Sequence, residues 1–146
     1  MRILSFLSIL LLAGCSATVN LEAAQDANNP ACAEVMVRLP SALGEHEQRP
    51  TNAQATSAWG DPAAVLMRCG LPEVTVSELP CVTAGDLDWL VDDSQAPSYR
   101  FISYATNPAI EVIVDSNVAS GVTSLESLEN AVSVLGQSKR CTTLTN

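Results

Sequence analysis

Apolar side chains recur at intervals of three and four near both ends of the folded region, and at intervals of two between them. Cys32, Val35, Met36 and Leu39 form the first helical stripe. Asn29 offers an N-cap, Pro30 suits the first helical position, and Pro40 stops the run. Glu34 and Arg38, four residues apart, pair on the opposite face. Leu125, Leu128, Val132 and Leu135 make the second stripe. Thr123 with Glu126 reads as a capping box at its start, and Gly136 as its stop. Between the helices, Leu87, Trp89 and Val91 alternate with Asp88, Leu90 and Asp92. Tyr99–Tyr104 is rich in aromatic and β-branched residues. Ile110, Val112 and Val114 alternate with Glu111, Ile113 and Asp115. Turn residues at Ala84-Gly85, Pro97 and Asn107-Pro108 give short connections, which join antiparallel neighbours.

Upstream of these strands lies Ala58-Trp59-Gly60-Asp61-Pro62, a corner built from a permissive glycine, a φ-locked proline and an aspartate able to bond nearby backbone. Ala63–Met67 beyond it suits either a short capped helix or a buried strand, and strand is preferred. Ser41–Gln54, with His46 between Glu45 and Glu47, reads as a solvated loop, and 70–80 as a second loop. The expected fold is therefore α+β: a small antiparallel sheet of about four strands, flanked by an N-terminal and a C-terminal helix.

The first fifteen residues change the picture. Arg2 precedes an apolar run from Ile3 to Leu12, too short for the roughly 20 residues that span a bilayer. The run closes on Leu12-Ala13-Gly14-Cys15. A charged start, a short apolar core and small residues before a cut site mark an export signal. The final tetrapeptide resembles the bacterial lipobox, which implies a diacylglyceryl group on Cys15. Two or more acyl chains hold a protein stably to a membrane without spanning it. The expected organisation is a lipoprotein signal peptide at 1–14, a lipidated flexible tether at 15–28, and one extracytoplasmic domain at 29–146. The expected location is the outer side of a cell membrane.

Charge and cysteine content agree with export. Losing Arg2 with the leader takes the formal charge from -9 to -10. That balance opposes nucleic-acid binding, which needs Lys and Arg against phosphate. Cys32, Cys69, Cys81 and Cys141 remain after Cys15, an even number that points to two disulfides in an oxidising compartment. The pairing expected is Cys32–Cys141 with Cys69–Cys81, which would fasten both ends of the domain. The other two pairings stay open.

The lipobox, Cys32 before a Leu-Pro, the run AWGDPAAVLMRCG, Cys81 followed by Asp88-Trp89, and Cys141 together resemble an actinobacterial lipoprotein family catalogued as domain of unknown function 3515. The resemblance covers about Asn29 to Cys141. It implies a cell-envelope protein and brings no ligand or catalytic residue.

Candidate chemistry is sparse. A single histidine and the lack of Gly-x-Ser-x-Gly leave no triad and no three-histidine zinc site. Asp86, Asp88, Asp92 and Asp93 form an acidic stretch, read as a solvated strand face. Asp61 and Arg68 are a candidate buried pair. Trp59, Asp61, Asp88 and Trp89 are candidates for a binding groove. The expectation is a non-catalytic binding or assembly module without cofactor or metal, whose partners are the membrane through Cys15 and an envelope protein or glycan. The alternatives are a small-ligand or glycan-binding lipoprotein and a carboxylate-dependent glycan hydrolase.

Overall fold

The computed structural model describes residues 17–142. The expected signal peptide at 1–14 and the expected lipidation site, Cys15, lie outside the described residues. The chain forms α1 (Pro30–Met36), β1 (Ala42–Leu43), β2 (His46–Arg49), β3 (Thr56–Trp59), β4 (Val65–Leu71), β5 (Cys81–Ala84), β6 (Leu87–Asp92), β7 (Ser98–Ser103), β8 (Ala109–Asp115), α2 (Gly121–Val132) and a 3₁₀ turn at Ser133–Leu135. None of these helices is long and apolar enough to cross a membrane.

All eight strands join one antiparallel sheet in the order β1-β2-β3-β4-β8-β7-β6-β5. This corrects the expected four strands. The four anticipated are β4, β6, β7 and β8. The added ones are short and carry little periodicity: β1 has two residues, and β2, His-Glu-Gln-Arg, has no apolar member. Thus Ser41–Gln54 is half strand rather than solvated loop, and His46 donates from Nε2 to the Val118 carbonyl at 3.0 Å. Two meanders, β1–β4 and β5–β8, meet where β4 pairs with β8.

Strand register assigns each side chain to one of two faces. The first carries Trp59, Val65, Met67, Ile110, Val112, Val114, Phe101 and Trp89, and both helices lie on it. Asn29 caps α1 as expected, its Oδ1 accepting from Ala31 N at 3.0 Å. The cap of α2 is Ser120, three residues before the expected Thr123. Its Oγ accepts from Thr123 N at 3.3 Å, which places Thr123 inside the first turn. Leu125, Leu128 and Val132 are fully buried beneath α2, as the stripe requires.

The second face carries Leu66, Arg68, Glu111, Ile113, Arg100, Ile102, Leu90 and Asp88. Its β5–β7 half is covered by chain rather than helix. Val74 and Leu79 from the 72–80 loop pack on Leu90, Ile102 and Ala109, and Tyr104 Oη donates to Thr75 O at 2.8 Å. The C-terminal segment crosses the same half. Gln137 accepts from Asp88 N at 3.0 Å, and donates to the carbonyls of Asp88 at 2.9 Å and Tyr104 at 2.7 Å.

The disulfides are Cys32–Cys69 and Cys81–Cys141. The expected pairing of Cys32 with Cys141 and Cys69 with Cys81 is corrected, and the reason is the two-faced sheet. Cys69 points to the helix face beneath α1, whereas Cys81 lies on the opposite face where the C-terminal segment runs. The sheet separates the partners first supposed.

Residues 17–28 also depart from expectation. They lie along the domain rather than tether it. Val19 donates to Pro50 O at 2.8 Å and accepts from Asn52 N at 3.3 Å, forming a parallel bridge with Thr51. Leu21 N donates to Asn52 Oδ1 at 2.8 Å, and Asp26 N to Gly70 O at 2.9 Å. Gly70 has φ +114° beside a register shift in β4, and a Cβ there would lie 2.5 Å from the Asp26 carbonyl carbon. Only glycine lets the two backbones approach this closely.

Candidate binding cleft

The β4–β8 half of the second face stays open, and polar side chains gather there. Arg68 on β4 sits directly across from Glu111 on β8, and Arg100 on β7 reaches it diagonally. Each arginine donates from Nε to a different carboxylate oxygen of Glu111. The Glu111 side chain is 4% exposed, those of Arg68 and Arg100 35% and 36%. Burial pushes the Glu111 carboxyl up, but the hydrogen bonds and charges of the two arginines outweigh it and leave it below the ordinary 4.5. The acid is therefore ionised near neutral pH and unsuited to donate a proton there.

Leu66 and Ile113, paired across the same strands, form the apolar floor beside this cluster. Asn20, Leu21 and Glu22 form the rim, and the cleft measures about 470 Å³. Both arginines spend Nε on Glu111, and among the described residues neither donates from an η nitrogen to a protein acceptor. The arrangement is two cations around one anion, with donors left over, next to an apolar surface.

A family model described as a protein of unknown function (DUF3515) matches residues 13–141. The chain belongs to that family. No curated protein and no solved structure matches it. The DUF3515 match takes in every strand, both helices, the four bonded cysteines and all the cleft residues.

The DUF3515 fold does not assemble the groove expected around Trp59. Trp59 and Trp89 are both fully buried on the helix face, and Trp59 Nε1 donates to Pro40 O at 3.1 Å. Asp61 projects into solvent and pairs with Arg49 at 3.1 Å, so the expected Asp61–Arg68 pair does not form. Asp88 lies on the opposite face from Trp89 and is buried, not solvated. Thr83 Oγ1 at 2.8 Å, Cys141 N at 2.7 Å and Arg140 at 3.1 Å surround its carboxylate. Asp88 also lies close to Cys81 and Cys141, but both sulfurs are spent in a disulfide, leaving one carboxylate and no ligand set.

Sequence reasoning placed Glu111 on the second face but missed its partners. The available signal was one charge interrupting each of three apolar strands, in VLMRCG, YRFIS and AIEVIV. Choosing their partners required knowing that β4 pairs with β8, which sets Arg68 against a residue 43 positions further on.

Proposed function

We propose that this DUF3515 protein is an exported, lipid-anchored cell-envelope protein, and that it works as a non-catalytic binding module through the Arg68–Glu111–Arg100 cleft. The observation that carries the reading is a buried, ionised glutamate fixing two partly exposed arginines, of which Arg68 lines an apolar-floored cleft and Arg100 is bonded to the same carboxylate beside it. A sheet needs no such cluster to fold, because apolar pairs at these positions stabilise as well or better. Pre-fixed arginines lose little further freedom when an anionic group docks. Support for the exported side comes from the two disulfides and from the lipobox-like end of the first fifteen residues. The partners proposed are the membrane, through lipid on Cys15, and an envelope component bearing an anionic group; nucleic acid is not among them.

Two measurements test this. Cells grown with labelled palmitate should label the wild type and not Cys15→Ala; labelling of neither, or of both equally, would refute the anchor. A photo-crosslinking side chain at Leu66 should capture an envelope component that the same group at exposed Val76 does not. Equal yields at both positions would refute the cleft.

A further inference from the structure

The expected tether would have held the domain about 20 Å off the membrane. The structure shortens it to almost nothing. Ala17, the first described residue, already has its carbonyl held by an η nitrogen of Arg49 at 2.6 Å. Arg49 is itself fixed by Gly60 O at 2.8 Å and Asp61 at 3.1 Å, with its side chain 9% exposed. From there the backbone is bonded at Val19 and Leu21 and leads straight to the rim of the cleft. An extended chain spans at most about 3.6 Å per residue, so Cys15 lies within roughly 7 Å of Ala17 and 18 Å of Asn20. A diacylglyceryl group on Cys15 therefore keeps the rim of the cleft within roughly 18 Å of the anchored sulfur, near the headgroup layer rather than a full tether length away.

The charges of the cleft suit that neighbourhood. Arg38, Arg49 and Arg140 each pair with one carboxylate, whereas Arg68 and Arg100 share Glu111. Among the described ion pairs this is the one place where cations outnumber anions. A protein of strongly negative charge is repelled by an anionic surface as a whole, so attraction has to be local. A singly charged phosphodiester would neutralise the surplus of one positive charge in the Arg68–Glu111–Arg100 cluster, opposed by the exposed Glu22 at the rim. Two guanidinium groups match phosphate oxygens in geometry, and Leu66 and Ile113 offer the adjoining apolar surface.

We propose that the cleft binds the phosphodiester headgroup of an anionic lipid in the leaflet that carries the protein's own anchor. The phosphate oxygens accept from the η nitrogens of Arg68 and Arg100, and the glycerol end of the acyl chains lies on Leu66 and Ile113. The lipid source rests on the anchored reading above, while the chemistry of the cleft does not.

The test uses the mature protein in a neutral detergent, titrated calorimetrically with dihexanoyl phosphatidylglycerol, inorganic phosphate, glycerol phosphate and dihexanoylglycerol. The first should bind saturably, one per chain, and the other three at least tenfold more weakly. Equal binding of free phosphate would overturn the lipid assignment, and binding of none would overturn the site. Arg68→Gln and Arg100→Gln should each weaken binding at least tenfold. Because either could also unfold the sheet, the second variant is Glu22→Gln, at an exposed rim position that repels an anion. It should tighten binding two- to fivefold at an unchanged melting temperature, and unaltered affinity would count against the cleft. The mass of the N-terminal peptide is read on the same sample. A lipidated chain that ignores the phospholipid overturns this inference alone; an unlipidated chain that binds it overturns the anchored reading alone.

Discussion

Glu111 carries two opposing demands. Its burial opposes charge, and its two arginines require it. Removing that charge by Glu111→Gln leaves Arg68 and Arg100 facing each other across a half-buried gap. Breaking a fully buried pair costs about 3–5 kcal/mol; because both arginines are about a third exposed and partly screened, about 2 kcal/mol is expected here. Denaturant midpoints at pH 7 would measure it. The pH dependence has a definite sign. A carboxyl whose folded pKa is depressed contributes stability above its unfolded value, near 4.5, and loses it as pH falls through the folded value. Wild-type stability should therefore drop more steeply below pH 4.5 than that of Glu111→Gln. Parallel profiles would mean that the arginines do not hold the acid down. None of this was legible at the residue scale from spacing alone, since Glu111 and Arg68 are 43 residues apart.

At the scale of elements, the strongly periodic segments were readable and the weakly periodic ones were not. β6, β7, β8 and α2 announce themselves because burying one face imposes a period of two or 3.6 on the residues. β2 is polar at all four positions, and β3 is buried at all four, so neither shows alternation. The cap of α2 slipped by one turn because Ser120 and Thr123 are both good cap residues, and the loop geometry chose between them. Ser120→Ala should cost about 1 kcal/mol in thermal denaturation, and Thr123→Ala clearly less. The disulfides tie elements to separate faces. Peptide mapping without reduction should recover Cys32–Cys69 and Cys81–Cys141. By chain-entropy estimates, closing loops of 37 and 60 residues is worth about 4 kcal/mol each. Replacing Cys81 and Cys141 together by serine should loosen the C-terminal segment first, visible as faster amide exchange at Ser138 while Val112 stays protected. Gly70→Ala should displace residues 26 and 27 and cost about 2–4 kcal/mol, from a left-handed backbone combined with a clash.

For the whole molecule, the decisive feature is how the chain leaves its N-terminal end. Residues 17–28 are small, polar and unpatterned, the composition of a linker, yet their backbone groups are taken up by Pro50, Asn52 and Gly70. Limited proteolysis should leave this segment uncut in the wild type. Arg49→Ala, which releases the Ala17 carbonyl and unpairs Asp61, should expose it to cleavage near Val19. Cleavage at equal rates in both would show that Arg49 does not hold it.

The amino-acid sequence by itself determined the mixed helix-and-strand composition, the alternation of the central strands, the four cysteines available for two disulfides, and the family. These follow from local periodicity and residue chemistry, which neighbours along the chain express. Tertiary structure alone decided that eight strands close into one two-faced sheet, which cysteines meet, where the N-terminal segment lies, and that Arg68, Arg100 and Glu111 converge. Those outcomes depend on which strand pairs with which, and pairing is a competition among distant segments for the same backbone hydrogen bonds and the same buried surface.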